Sequence, residues 1–300
     1  MNSIALRYFL EVARCGSIAA AVERLHVAGS AVSRQIASLE YELGTPLFER
    51  QPRGMVMTDA GEKLAAHVRR AVLEEERVVA MIQNKGSQSS GTIKISCSQG
   101  LASHFLPEAA RTYRHRFPDI RFDIRAQAPH EIVHAISEGD VDLGVAYSSG
   151  QHPGVSVTHR RLFPACVILS AKHPLAGKSA IDLRDLERFS IATSRDTTMR
   201  EIINFRASLV GVRLDVVFEC DYSDGLFQYC SSGEAVTFAS SSSVANWVAR
   251  GELVAVPLVD TKLFERNIEI QVMDRRTLPA HVEAFIDYLV SRLEEIEVPQ

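Results

Sequence analysis

The sequence predicts an α/β protein of two domains: a small helical N-terminal domain, then one long helix, then a larger α/β domain of two lobes. Three observations lead to this fold class. The chain has 300 residues, which is longer than an average single domain and suits two domains. Of these residues 46% are hydrophobic, enough to form buried cores. Apolar residues follow a helical period up to about residue 84. After a polar stretch, short strands alternate with helices, the order that builds a parallel sheet.

Three short helices are predicted at the N-terminus. Residues 4–13 place their apolar side chains on one helical face, and Gly16 ends that helix. Ser17 is a good N-cap for a second helix, and after a short turn a third helix begins at Ser30. The third helix has an apolar face and an opposite polar face. Two helices joined in this way, the second with an outward polar face, are typical of a helix-turn-helix.

A small β-hairpin is predicted after the third helix. Gly44 and Pro46 break the helix, residues 47–50 have the pattern of a strand, and residues 51–54 form a turn before a second short strand. A hairpin at this place is the wing of a winged helix-turn-helix domain, which we place at residues 1–58.

A long helix is predicted from Ala60 to about residue 84, capped by Thr58 or Asp59. It has an apolar seam that a lone chain would leave exposed, so we expect two chains to pair along it. The seam consists of Leu64, Val68, Ala71, Val72, Val79 and Ile82. We place this linker and dimerisation helix at residues 59–86, and a polar, flexible hinge at residues 87–91.

The remaining residues, 92–300, are predicted to form two α/β lobes that share a cleft. The first lobe has strands near residues 92–96, 121–126 and 141–147, with helices at 102–116 and 131–138 between them. The second block has strands near residues 165–170, 190–192, 215–219 and 235–238, and helices at 198–209, 223–231 and 242–249. Further strands at 254–257 and 268–273 and a final helix at 281–296 complete the domain.

The N-terminal part resembles the DNA-binding signature of the LysR-type transcriptional regulators. The matching positions are LRYFLEVA at 6–13, GS at 16–17, AA at 20–21, Leu25, SAVSRQI at 30–36, LE at 39–40, ELG at 42–44, LF at 47–48, Arg50, Thr58 and AG at 60–61. Looser family marks are GDVDLGV at 139–145 and GELV at 251–254, so the resemblance spans essentially the whole chain. One departure is Ala28-Gly29, where many members have Ser-Gln, so family operator preferences carry over only loosely.

The resemblance implies that the chain is a bacterial transcriptional regulator, and it also implies which partners the chain binds. It implies that the C-terminal domain resembles the periplasmic binding proteins and binds a small effector between its lobes. The partners it implies are double-stranded operator or promoter DNA, the effector, and further copies of the chain in a homodimer or homotetramer. RNA polymerase is a further candidate partner.

The candidate DNA contacts are Ser30, Ser33, Arg34, Gln35, Arg50 and Arg53. An arginine on a helix in the major groove can donate two hydrogen bonds to guanine, and a serine hydroxyl can bond to a base edge or phosphate. The wing arginines can reach phosphate or an adjacent minor groove. Residues 1–60 contain six basic and six acidic side chains, so the prediction rests on the pattern and not on a basic excess.

The candidate effector contacts are Ser98, Gln99, Tyr147, Ser194, Thr197 and Ser240. All but Tyr147 lie where a predicted strand passes into a helix, and free backbone N–H groups at such a junction attract anions. We therefore expect an anionic effector. Tyr147 ends a predicted strand and would point toward the cleft. The structural alternatives for these side chains are helix capping and core packing.

Catalysis, metal binding and a cofactor are not expected. No phosphate-binding loop, nucleophile elbow or zinc-protease motif occurs, and His130 and His134 lack a third ligand of suitable spacing. The five cysteines show no C-x-x-C pair, which argues against a disulfide framework or a zinc site. A redox pair of Cys220 and Cys230, as in peroxide-sensing members of the family, is the alternative to buried free thiols.

The sequence is expected to belong to a cytoplasmic protein. Its apolar stretches are too short to span a bilayer, and the first residues lack the order of a secretion signal. The leading function is an effector-gated DNA-binding regulator. The alternative is a small-molecule-binding protein or an enzyme that carries an incidental helical domain.

Overall fold

The computed structural model describes residues 3–52, 54–82, 88–147, 150–195, 198–259 and 265–296. The chain divides into two compact units. The first contains residues 1–80 with residues 275–277, and the second contains the other residues. Each unit has apolar cores of its own, in agreement with the predicted two-domain fold class. None of the described helices combines the length and apolar character needed to cross a membrane.

The N-terminal unit begins with three helices, α1 (Ser3–Cys15), α2 (Ile18–Leu25) and α3 (Gly29–Leu43). The hydroxyl of Ser17 accepts a hydrogen bond from the Ala20 N–H and so caps α2, as predicted. Gly44 ends α3 with a φ of 66°, a left-handed conformation that glycine adopts without strain. The apolar sides of the three helices meet in one core that contains Phe9, Val12, Ala21, Val32, Ile36 and Leu39.

The predicted wing is an antiparallel hairpin of β1 (Phe48–Gln51) and β2 (Gly54–Met57), and α4 (Asp59–Ile82) follows it. Thr58 joins the hairpin to α4. Its N–H donates to the Leu47 carbonyl at 3.0 Å, and its Oγ1 donates to the Pro46 carbonyl at 2.8 Å. The same Oγ1 accepts from the Gly61 N–H at 3.1 Å, which satisfies one of the free donors at the start of α4.

Lobe 1 of the C-terminal unit is built on β3 (Ser90–Cys97), β4 (Asp119–Ala126) and β5 (Leu143–Tyr147). The strand β3 lies between the other two and is parallel to both, as the alternating pattern predicted. The connecting helices are α5 (Gln99–Ala102), α6 (Phe105–Arg116) and α7 (Pro129–Glu138). The C-terminal helix α11 (Ala280–Glu295) packs its buried face on the same core.

One long strand, β6 (Val155–Ser170), belongs to both lobes. Its first part pairs with β11 (Glu265–Met273), which also pairs with β5 of lobe 1. Its last part pairs with β9 (Thr237–Ser240) and β10 (Leu253–Pro257) of lobe 2. Lobe 2 further contains the parallel pair β7 (Ser190–Thr193) and β8 (Asp215–Glu219), with helices α8 (Thr198–Leu209), α9 (Ser223–Ser231) and α10 (Ala245–Ala249).

The structure corrects several predicted bounds. The helix predicted at residues 102–116 begins at Phe105 instead, because Pro107 has no N–H and is tolerated only in a first turn, and the residues before it form the separate short helix α5. The strand predicted at 235–238 instead spans Thr237–Ser240, where β9 pairs with residues 165–168 of β6. The helix predicted at 242–249 is a 3₁₀ turn followed by α10. The predicted hinge at 87–91 overlaps β3, and residue 87 lies outside the described residues.

Candidate functional site

The helix α3 presents a polar surface opposite the core. Val32, Ile36 and Leu39 are buried, whereas Ser30 and Arg34 are exposed and Ser33 and Gln35 are half-buried. Arg34 makes no hydrogen bond or ion pair with any described part of the chain. The four predicted contacts of this helix are therefore at least partly accessible: Arg34 lies opposite the buried face, with Ser33 and Gln35 on either side of it, and the guanidinium is available to a partner.

The wing contributes one described arginine. Arg50 lies opposite Met55 in the hairpin and is exposed, and the structure records no polar partner for it among the described residues. Arg53, the other predicted wing contact, lies outside the described residues. Glu40 of α3 holds the wing in place, because its Oε1 accepts from the N–H groups of Leu47 and Phe48 at 2.8 and 3.3 Å. Sequence reasoning missed this role of Glu40.

A cavity of about 400 Å³ lies between the two lobes of the C-terminal unit. Its walls come from the ends of strands and the starts of helices in both lobes, the usual place for a ligand in an open α/β sheet. The lining residues are Ser98, Gln99, Gly100, Ala126, Gln127, Ala128, Pro129, Glu131, Tyr147, Ser194, Met199, Asp221, Ser223, Leu226, Phe227, Phe238, Ala239, Ser240 and Ser243.

A cluster of four hydroxyl groups, which we call the hydroxyl cluster, joins the lobes at the base of this cavity. The Tyr147 OH of lobe 1 lies 2.7 Å from Ser240 Oγ and 2.8 Å from Ser243 Oγ of lobe 2. Ser240 Oγ also lies 2.7 Å from Ser242 Oγ and 3.1 Å from Ser243 Oγ. All four side chains are buried. A change in the angle between the lobes would therefore disturb a buried hydrogen-bond network.

The charges on the described cavity wall are all negative. Glu131 lies at the start of α7, and its Oε2 accepts from the Ala128 N–H at 2.9 Å. Asp221 lies two residues before α9, and its Oδ1 accepts from the Arg195 N–H at 3.3 Å. Both carboxylates are exposed. No lysine, arginine or histidine is among the described residues that line the cavity.

Five of the six predicted effector contacts line the cavity: Ser98, Gln99, Tyr147, Ser194 and Ser240. The sixth, Thr197, lies outside the described residues. Ser98 does not cap α5 with its side chain, because its Oγ accepts from the Tyr147 N–H at 3.3 Å. The hydroxyl of Ser98 thus positions Tyr147.

Sequence reasoning missed several lining residues, chiefly Gln127, Glu131 and Asp221. A signal was present for two of them. Gln127 follows β4 and Asp221 comes shortly after β8, so both lie at the carboxyl ends of parallel strands, where crevices form. Glu131 carries no comparable signal, because its position depends on how α7 packs.

The cysteines are free thiols, and three of them are fully buried. Burial raises the pKa of Cys97 and of Cys230 to about 12 and that of Cys166 to about 11. These thiols are protonated at neutral pH and are poor nucleophiles. The burial of Cys230 therefore argues against its use in a redox pair with Cys220. Among the described residues, no three His, Cys, Asp or Glu side chains are grouped so that they could hold a metal ion.

Two family models match the chain. The model described as "Bacterial regulatory helix-turn-helix protein, lysR family" matches residues 4–62. The model described as "LysR substrate binding domain" matches residues 86–294. The two matches fall on the two parts of the chain that contain the α3 surface and the cavity.

Curated relatives match most of the chain. The "Transcriptional dual regulator GltC" of Bacillus subtilis is 28% identical over 297 residues, which covers 97% of each chain. The "HTH-type transcriptional regulator AlsR" of the same organism is 27% identical over 242 residues, which covers 79% of this chain and 80% of the relative. These relatives are transcriptional regulators and not enzymes.

Solved structures share the fold over almost the whole chain. A full-length OxyR from Pseudomonas aeruginosa has a TM-score of 0.69 at 20% identity, covering 100% of this chain and 96% of that one. Full-length CbnR in complex with its target DNA has a TM-score of 0.57 at 19% identity, covering 97% of this chain and 99% of that one. At these identities the likeness is one of fold.

Proposed function

The chain belongs to the LysR family of bacterial helix-turn-helix regulators, a DNA-binding transcriptional regulator with a substrate-binding domain, and from this premise we propose how it binds DNA and responds to a ligand. In the proposal α3 enters the major groove, the wing contacts the backbone beside it, and a small molecule in the cavity between the lobes controls the outcome. The single observation that carries the DNA part is the exposed guanidinium of Arg34, which has no partner among the described residues.

The proposed roles of the contacts follow from their chemistry. Arg34 can donate two parallel hydrogen bonds to guanine and so read a base. Ser30, Ser33 and Gln35 of the same helix can bond to base edges or phosphates. Arg50 and Arg53 of the wing are assigned to phosphate or the minor groove, where a cation strengthens binding to any sequence.

Replacing Arg34 by alanine is expected to weaken binding to the chain's own upstream DNA by about 1–3 kcal/mol and to relax sequence choice, because a bidentate base contact is lost. The measurement is a fluorescence anisotropy titration with that DNA and with a scrambled duplex. Arg213→Ala, an exposed arginine of the C-terminal unit, is the control. If the ratio of specific to nonspecific affinity stayed unchanged in the Arg34 variant, the assignment of base readout would be wrong.

We propose that two chains pair along the second half of α4. From Ala71 onward the predicted seam is exposed in the single chain: Val72 and Val79 are each more than two-fifths exposed, and Ile82 is 75% exposed. Val68, predicted as part of the seam, is instead buried at 3% exposure. A helix surface of this kind is stable in water when a second apolar surface covers it. The C-terminal units would then join two dimers into a tetramer, as the family suggests.

The double substitution Val72→Glu and Val79→Glu is expected to separate the paired chains, since it would bury unpaired charges in the interface. Size-exclusion chromatography with light scattering measures the mass of the assembly, and we expect at least a twofold decrease. The control is Glu74→Gln, which changes an exposed side chain on the opposite side of the same helix. An unchanged mass in the glutamate variant would place the contact between chains elsewhere.

The ligand part of the proposal rests on the cavity and the hydroxyl cluster. A ligand shifts an equilibrium between two arrangements only by its difference in affinity for them. Here the ligand would contact both lobes, so its affinity depends on the angle between them, and that angle would be coupled to the arrangement of the DNA-binding units in the assembly. The ligand is bound and released unchanged. RNA polymerase is a further proposed partner at the promoter.

A further inference from the structure

We infer that the ligand of the cleft is an organic cation, a protonated amine on an apolar body. This inference rests on the proposed function, because it names the class of effector for the same cavity. It replaces the anionic effector expected from strand-to-helix junctions. The reason is that the helix starts at this cavity already have negative groups of the protein beside them.

The two carboxylates of the cavity wall come from different lobes. Glu131 of lobe 1 uses Oε2 for the Ala128 N–H, and Asp221 of lobe 2 uses Oδ1 for the Arg195 N–H. Glu131 therefore caps α7 and offsets its dipole, and Asp221 places a negative charge two residues before α9. Each also keeps a second oxygen for a ligand. Two further helices begin at the cavity: α8 has Glu201 in its first turn, and α5 has only four residues and a small dipole.

The nearby arginines do not cancel these charges. Arg200 Nη1 contacts Glu219 Oε1, and Arg195 Nε lies 3.7 Å from Glu219 Oε2. Glu219 does not line the cavity. Both guanidinium groups thus pair with Glu219, and Arg200 Nη1 also donates to the carbonyl of the lining residue Ser194 at 3.4 Å. Neither arginine lines the described wall, so an anionic ligand would meet Glu131 and Asp221 without a compensating cation there.

The hydroxyl cluster favours a ligand that donates hydrogen bonds. Its four hydroxyl groups have four protons, and the four contacts within the cluster use all of them. Ser240 Oγ has three contacts within the cluster, so its two lone pairs are also used, and what Tyr147 and Ser243 can still offer toward the cavity is an oxygen lone pair each. An ammonium group has three donors and no acceptor, so it matches both the carboxylates and these oxygens.

Part of the remaining cavity wall is apolar, beside the neutral polar side chains of Ser98, Gln99, Gln127, Ser194 and Ser223. Met199, Leu226 and Phe238 line it from lobe 2, and Pro129 and Ala126 line it from lobe 1. A purely inorganic cation would leave this surface unused, whereas an aryl or alkyl body would bury against it. An arylalkyl amine is therefore the class of ligand that fits both parts of the wall.

The test uses three probes that share a phenylethyl body and differ in charge: 2-phenylethylamine, 2-phenylethanol and 3-phenylpropanoate. Binding to the full chain is measured by calorimetry at low salt, in the wild type and in a Glu131→Gln, Asp221→Asn double variant. Glutamine can still accept from the Ala128 N–H, so the cap of α7 is kept. Asp215→Asn, an exposed carboxylate of β8 outside the cavity, is the control.

We expect the wild type to bind the amine about tenfold more tightly than the alcohol, and the double variant to bind the amine about tenfold more weakly than the wild type. A factor of this size corresponds to the loss of one charge-assisted hydrogen bond. Tighter binding of the propanoate, binding of none of the probes, or an amine affinity unchanged in the double variant overturns the inference. Affinity for upstream DNA is measured on the same samples. If the wild type binds its DNA specifically but does not bind the amine, only the class of ligand is refuted. If the wild type shows no specific DNA binding, the proposed function is refuted.

Discussion

Replacing Gly61 by alanine is expected to remove DNA binding by the chain while its C-terminal unit stays folded. Gly61 lies in the first turn of α4, and a Cβ there would lie 2.1 Å from the Leu47 carbonyl oxygen and 3.3 Å from Met57 Cβ. Real Cβ atoms do not come so close to backbone oxygen, so α4 or the wing must move. The movement would break the Thr58 hydrogen bonds that join them.

The expected cost is about 3 kcal/mol, the upper end for overpacking, because backbone and not a flexible side chain must yield. That is a large fraction of the stability of a small unit. DNA affinity should decrease at least about tenfold, measured by anisotropy, while the melting of the C-terminal unit is unchanged. Glu62→Ala, the exposed neighbour, is the control. Normal DNA binding by the Gly61 variant would show that the contact between α4 and the wing yields easily.

The second large effect is expected from Phe285→Ala in the C-terminal unit. Phe285 of α11 is fully buried, and its ring centre lies 4.8 Å from that of Phe122 and 5.0 Å from that of Tyr113. The substitution removes a large apolar side chain and leaves a cavity, which costs about 3–5 kcal/mol. For a unit of this size the melting temperature should decrease by roughly 10 °C.

Differential scanning calorimetry of the full chain measures this change, and circular dichroism reports the unfolding of the α/β unit. Asp287→Ala, an exposed position on the same helix, is the control and should stay within about 0.5 kcal/mol of the wild type. A decrease of only one or two degrees in the Phe285 variant would mean that the aromatic cluster closes around the gap. The position of α11 on lobe 1 would then be less rigid than its burial implies.

The exposed face of α3 could be predicted because it depends on local pattern. The helical period places Val32, Ile36 and Leu39 in the core, and the same period then places Arg34 on the opposite side. The cleft was predicted only in part. Ser98, Tyr147 and Ser240 stand at strand ends that the alternating pattern marks, whereas Glu131 reaches the cavity only because α7 packs where it does.

The sequence by itself determined most of the helices and strands, their order along the chain, and the face that each of them buries. These follow from periodicity, caps and breakers within some ten to twenty neighbouring residues. The pattern of the Gly29–Leu43 helix and the family signature that contains Arg34 both belong to this class.

Only the tertiary structure decided which strand pairs β6 in each lobe, how the four hydroxyl groups of the cluster meet, and that the charges of the described cleft wall are negative. Tyr147 and Ser243 are 96 residues apart, and their 2.8 Å contact arises because β5 and the chain after β9 end at the same crevice. The charge of the wall depends likewise on which side chains two separate lobes bring to one cavity. No local pattern contains that information, because it is set by packing between segments that are distant in the chain.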